Sequence, residues 1–186
     1  MPIKKYTADA DNTIVNAFQS NLQTRGTGAN TGEADILETY SVYDRVASGS
    51  QELSRILIQF PVAGINSDRS SGNIPASGSV NFYLRLFNAE TSKTVPRDLD
   101  IVVHAISQSW QEGVGLDLEN YLDITNGNEG SNWMSASNTA FWTDINGTLL
   151  AGGSYHTQSV PNDDVSSEIH IFKQNLKTGL EDLEVN

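Results

Sequence analysis

The sequence predicts an all-β protein, an antiparallel β-sandwich of jelly-roll type. Between Leu53 and Trp110, apolar and polar residues alternate through LSRILIQFPV, SVNFYLRLFNAE and LDIVVHAISQSW, the period of two that a half-buried strand requires. Short strand-like runs recur along the whole chain, separated by clusters of Gly, Ser, Asn and Pro. No segment carries a sustained apolar stripe at the spacing of about 3.6 residues that marks a helix, so helices are expected to contribute little.

Taken in order, Lys4–Thr7 reads as a short strand and Thr13–Phe18 as a second, with Asp9, Asp11 and Asn12 in the turn between them. Residues 21–33 (NLQTRGTGANTGE) have no periodicity and read as a surface loop crossing the end of the sandwich. Gly26, Gly28 and Gly32 do not make a GxGxxG, and no lysine and hydroxyl pair follows, so the loop is not read as a phosphate cradle. Ala34–Tyr43 resumes as a strand. In the central stretch Val80, Phe82, Leu84 and Leu86 are expected to point inward, with Asn81, Tyr83, Arg85 and Phe87 outward. Ile56, Ile58 and Phe60 before them, and Ile101, Val103 and Ala105 after them, are spaced to share that interior. Asn66–Gly78 reads as a long turn. Ser107–Asp144 is a long connection holding Trp110, Trp133 and Trp142, in which Leu116–Leu122 forms one helical turn at most. Ser154–Gln158, Glu168–Gln174 and Leu180–Val185 complete the strands. A sheet with one apolar face needs a second layer over it.

A chain of 186 residues suits one core, so residues 1–186 are read as a single β-sandwich domain. It ends on LEDLEVN without a following turn, and it is therefore read as the N-terminal part of a longer polypeptide, the sandwich being completed by chain or subunit beyond residue 186. The 23 acidic against 11 basic residues give a formal charge of -12, which argues against binding a nucleic-acid backbone. Mean hydropathy is -0.35, no apolar run approaches the roughly 20 residues of a membrane span, and MPIKKYTADADN lacks the apolar core of a secretory signal. The absence of cysteine leaves neither disulfides nor thiolate metal sites.

Carboxylate pairs such as Glu112 with Asp117, or Asp163 with Asp164, are inevitable among so many acids and do not by themselves indicate a glycosidase. His104, His156 and His170 have no zinc-site spacing, and there is no GxSxG elbow; the chain is read as a non-enzyme with no resident cofactor. Calcium is the cation left open, because Asp117, Glu119 and Asp123, followed by Asn126 and Asn128, put hard oxygens in one loop, though without EF-hand spacing. Asp9, Asp11 and Asn12 offer a similar set. An Asx-turn network is the preferred explanation of both. Tyr121, Trp133 and Trp142 are the candidates for stacking on a sugar ring, although Trp110 is placed to close the core and the other two tryptophans to pin the long loop. Trp110, Glu112, Asp117, Asp123 and Trp133 mark the loop as the place where function would vary. Asn146-Gly147-Thr148 is the one glycosylation sequon.

Several of these stretches together resemble a known family. TADADNTIVNAF, the Gly-rich TGANTGEADIL, LSRILIQFPV, SVNFYLRLFNAE and SWQEGVGLD resemble the DNRLRE-type jelly-roll domains, which are similar to carbohydrate-binding modules. ELSRILIQFPV followed by WQEGVGLDLENYLD, GSNW and TGLEDLEVN looks more like structural proteins of tailed phages, particularly those of marine hosts. The resemblance covers nearly the whole chain and brings no catalytic signature. It implies a virion component of the neck, capsid surface or fibre, a homo-oligomer packing against other virion proteins; charge and hydropathy, as above, add the expectation of no nucleic-acid and no membrane partner. The alternative it implies is a carbohydrate-binding module for a surface polysaccharide.

Overall fold

Ile14 and Val15 are neighbours in strand β1 (Ala10–Val15), and both are buried. Adjacent side chains in a strand point to opposite faces, so β1 must be covered on both sides. The computed structural model, which describes residues 3–43, 51–76, 78–90, 98–116, 130–155, 169–175 and 182–185, shows how. On one face Ile14 joins Leu57, Trp133, Ala136 and Trp142, with Leu53, Ile106, Trp110 and Leu150 packed around them. On the other, Val15 packs with Ala17 and Ala29, flanked by Tyr40.

The chain divides into two compact units, residues 1–62 with 106–154, and residues 63–105 with 155–186. Strand outweighs helix, 30% against 7%, so the molecule is mostly β. In the first unit, β3 (Gln51–Gln59) lies between β1 and β2 (Ser41–Tyr43), both pairings antiparallel. Its register sets Ala10 opposite Gln59 and Val15 opposite Ser54. A hairpin of β6 (Ser135–Ser137) and β7 (Ala140–Phe141) is extended by a bridge between Thr143 and Leu149.

The second unit contains two further antiparallel ladders. β4 (Leu84–Leu86) pairs with β9 (Leu183–Val185), and β5 (Asp98–His104) with β8 (Ile169–Asn175). Arg85 reaches Asp182 at 2.9 Å beside the first ladder; both are exposed, and such a pair adds at most about 1 kcal/mol. His104 packs tilted against Tyr155, ring centroids 4.6 Å apart.

Several sequence expectations need correction. β3, β4 and β5, expected to share one interior, belong to three separate ladders among the described residues. A helix, α1 (Val62–Ser70), occupies part of the stretch read as a turn. It buries no residue, which is why its sequence carries no apolar stripe. The middle strand shortens to Leu84–Leu86, where the alternation holds, while Phe82 is 51% exposed rather than inward. Lys4–Thr7 is not a strand, and Asp11 and Asn12 belong to β1 rather than to a turn before it. Ala34–Tyr43 is strand only from Ser41.

Candidate functional site

Two side chains finish the outer edge of β1, the edge that faces away from β3. The Thr13 amide donates to Thr31 Oγ1 at 3.1 Å, and that hydroxyl donates to Thr13 O at 3.0 Å. The Asp11 amide donates to Glu112 Oε1 at 2.8 Å. An edge amide without a strand partner is a liability, and here hydroxyl and carboxylate stand in for the missing strand.

Behind that edge is a buried polar node centred on Asn30, 1% exposed. Asn30 Nδ2 donates to Glu112 O and to Ser131 O, both at 2.7 Å, and its Oδ1 accepts from the Gly32 and Gly115 amides at 3.0 Å. Asn12 continues the node. Its Nδ2 donates to Ser131 Oγ at 2.8 Å and Ser131 O at 3.0 Å, and its Oδ1 accepts from the Thr31 amide at 2.9 Å. An asparagine side chain presents the same donor and acceptor as a peptide group, so Asn12 and Asn30 act as extra pieces of backbone where segments meet that no ladder joins.

Glycines make the node possible. A Cβ on Gly130, whose φ is +111°, would lie 2.6 Å from both Asn30 Nδ2 and Gly113 Cα. Gly32, Gly113 and Gly115 also crowd against the Asn30 node. The node thus grips the chain on both sides of residues 117–129, through Glu112 to Gly115 on one side and Gly130 to Trp133 on the other.

The tryptophans lock the same region. Trp142 is fully buried, and its Nε1 donates to Asn132 O at 2.7 Å. Asn132 Oδ1 accepts from the Met134 and Ser135 amides at 2.9 Å, an Asx-turn that starts the hairpin. Trp133 is 7% exposed, with the Arg55 guanidinium 5.0 Å from its ring centroid and Arg55 Nη1 also donating to Gly152 O.

The structure therefore places Trp133 and Trp142 in the core, where a ring has no free face to offer a sugar, and Trp110 against the same cluster as expected. Tyr121 and the calcium candidates Asp117, Glu119 and Asp123 lie outside the described residues. Of the other acidic candidates, Asp11 and Glu112 come together. Burial, and then the nearby Glu112 charge, push the Asp11 carboxyl above its ordinary value. Glu112 is engaged in holding the β1 edge. Among the described residues, no group of three or more His, Asp or Glu side chains is arranged to hold a metal.

Sequence reasoning misses Asn30, Thr31 and Ser131. The Gly-rich segment 21–33 reads as a surface loop because it is polar, yet residues 29–31 are buried. The available signal is Asn12. A polar residue at a position facing the same side as Ile14 needs a buried partner, and Asn or Thr flanked by glycine is well suited to supply one.

Fold and site together define a mostly β chain with a self-satisfied polar node that joins residues 30–32, 112–115 and 131 to β1. The chain matches no known family model, no curated protein and no solved structure.

Proposed function

We propose that the chain is a non-enzymatic structural component of a tailed-phage virion, in the neck, capsid surface or fibre, that acts by packing against other virion proteins and against copies of itself. On this reading the strands belong to a jelly-roll sandwich. The observation that supports the reading is the contrast between where polar and apolar groups are used. Asn12, Asn30, Thr31 and Glu112 are bound to the chain's own backbone. Meanwhile Phe141, Ile145 and Leu149, on or just after the β6–β7 hairpin, and Phe82, Tyr83 and Phe87 in the second unit, stand exposed. Large apolar side chains in solvent suit burial against another protein better than turnover of a substrate.

Immunogold electron microscopy of a lysate from the source organism or its infected host tests this directly. Gold at one repeated position on particles is the expected result, and the position chooses among neck, capsid and fibre. Gold on cell walls with bare particles would overturn the reading in favour of the polysaccharide-binding module. That alternative must use rings other than Trp133 and Trp142, Tyr121 foremost. Calcium, if bound, would serve the loop through Asp117, Glu119 and Asp123 as a structural ion.

A further inference from the structure

The bridge between Thr143 and Leu149 closes a tight turn, Asp144-Ile145-Asn146-Gly147-Thr148, whose residues from Ile145 to Thr148 are exposed. Asn146 followed by glycine is a reactive pair. Without a Cβ on the next residue, its backbone nitrogen can reach the asparagine side-chain carbon. The Gly147 N to Asn146 Cγ bond forms, the Cγ–Nδ2 bond breaks and ammonia leaves. Water then opens the cyclic imide to aspartate or isoaspartate. The reaction needs the Gly147 nitrogen to give up its proton and the turn to move that nitrogen toward Cγ.

Both requirements are opposed here. The Gly147 amide donates to Asp144 O at 3.0 Å, and Asp144 N donates to Thr148 O at 2.9 Å. The amides on either side, Asn146 and Thr148, both donate to Asp144 Oδ1 at 2.8 Å. Three consecutive amides are therefore tied to one residue, and Gly147 is held at a φ of +80°.

We propose that Asn146 is a latent site of spontaneous deamidation that the Asp144 side chain keeps closed by clamping the turn. Opening it adds a negative charge, and in the isoaspartyl product an extra backbone carbon, between the exposed Ile145 and Leu149. The modification would thus recast an apolar surface without any enzyme. The hydrogen bond from the Thr148 amide, against the smaller opposing effect of burial and with the Asn146 amide adding to it, holds the Asp144 carboxyl below its ordinary value.

The test is peptide mapping by mass spectrometry of the whole protein after incubation in mildly alkaline buffer, counting aspartate and isoaspartate at position 146. Folded wild type should convert more slowly than the same chain unfolded in denaturant. Asp144→Ala should speed conversion in the folded protein by about two- to tenfold, the range that losing an ordinary hydrogen bond permits. Asp144→Asn, which keeps an acceptor oxygen, should lie between. Tryptophan fluorescence confirms that each variant is folded. Equal rates in folded and unfolded wild type, or folded Asp144→Ala converting no faster than wild type, would overturn the proposal.

Discussion

Replacing Asn30 with alanine removes four hydrogen bonds at once, and the consequences for each partner differ. The Gly115 amide is buried and loses the acceptor Asn30 Oδ1; stranding a buried amide costs about 1–3 kcal/mol. Ser131 O keeps the Asn12 Nδ2 bond at 3.0 Å and suffers less. Gly32 N and Glu112 O are only partly buried, and water can recover part of their loss. Taken together the substitution should cost about 3–5 kcal/mol, against the roughly 5–15 kcal/mol by which domains are usually stable. All three tryptophans belong to the first unit, so urea unfolding followed by tryptophan fluorescence reads this unit, with the midpoint and slope giving the free energy. A loss below about 1 kcal/mol would refute the claim that the node holds residues 112–115 and 131 against β1. Asn30→Asp separates hydrogen bonding from packing. It keeps the shape but turns a carboxylate oxygen toward Glu112 O and Ser131 O. That environment raises the carboxyl's folded pKa, so the variant's instability should be greatest at neutral pH and shrink as pH falls through the raised value toward about 3.9.

Other perturbations follow from the same contacts. Asp11 has its folded pKa raised, so its ionised form works against folding, and the penalty disappears as pH drops below the unfolded value. Asp11→Asn retains the hydrogen bond from the residue 11 backbone amide to Glu112 Oε1 and should be at least as stable as wild type at pH about 7, the two converging below about 3.9 in thermal melts; a clear loss at neutral pH would show that the carboxylate is needed. Trp142→Ala should lose about 3–5 kcal/mol and Trp142→Phe clearly less, measured by denaturant unfolding. Gly130→Ala should destabilise by more than the ~1 kcal/mol usual for a backbone misfit, because the new Cβ meets Asn30 and Gly113. Calcium added to chelator-treated protein should raise the melting temperature if Asp117, Glu119 and Asp123 hold an ion, and an unchanged melt across millimolar calcium would remove that reading.

Strands built from β-branched alternation are legible in the amino-acid sequence alone. Leu53 to Phe60 contains most of β3, Ile101 to Ala105 overlaps β5, and Glu168 to Gln174 nearly coincides with β8. Their buried face and their partners are less legible: in β3 it is Leu57, not the Ile56, Ile58 and Phe60 set expected inward, that joins Ile14 in the core, and alternation says nothing about which strand lies alongside. Helix α1 escapes notice since a helix that buries nothing leaves no period to find. The start of β1 is hidden because Asp11 and Asn12 look like turn formers, and in this fold their positions are decided by Glu112, Thr31 and Ser131, about a hundred residues away in two of the three cases. From sequence the candidate site reads as loop acids and tryptophans. What the described residues bring together is amides and glycines, whose meaning depends on contacts that local sequence does not contain.

The Asn30 contacts also set an order of events during synthesis. Their acceptors lie 82 and 101 positions further along the chain, and residues 63–105, which belong to the other unit, emerge from the ribosome in between. The sheet of β1, β2 and β3 can therefore pair early, with Thr31 already on Thr13, yet the Asp11 amide and the side-chain amide donors of both asparagines must wait until Glu112 and Ser131 have been made. Closing so long a loop is slow. During that interval the half-built sheet exposes an open edge to every neighbouring nascent chain, and the chain's yield in a cell should respond to translation speed and chaperone supply more than its final stability suggests.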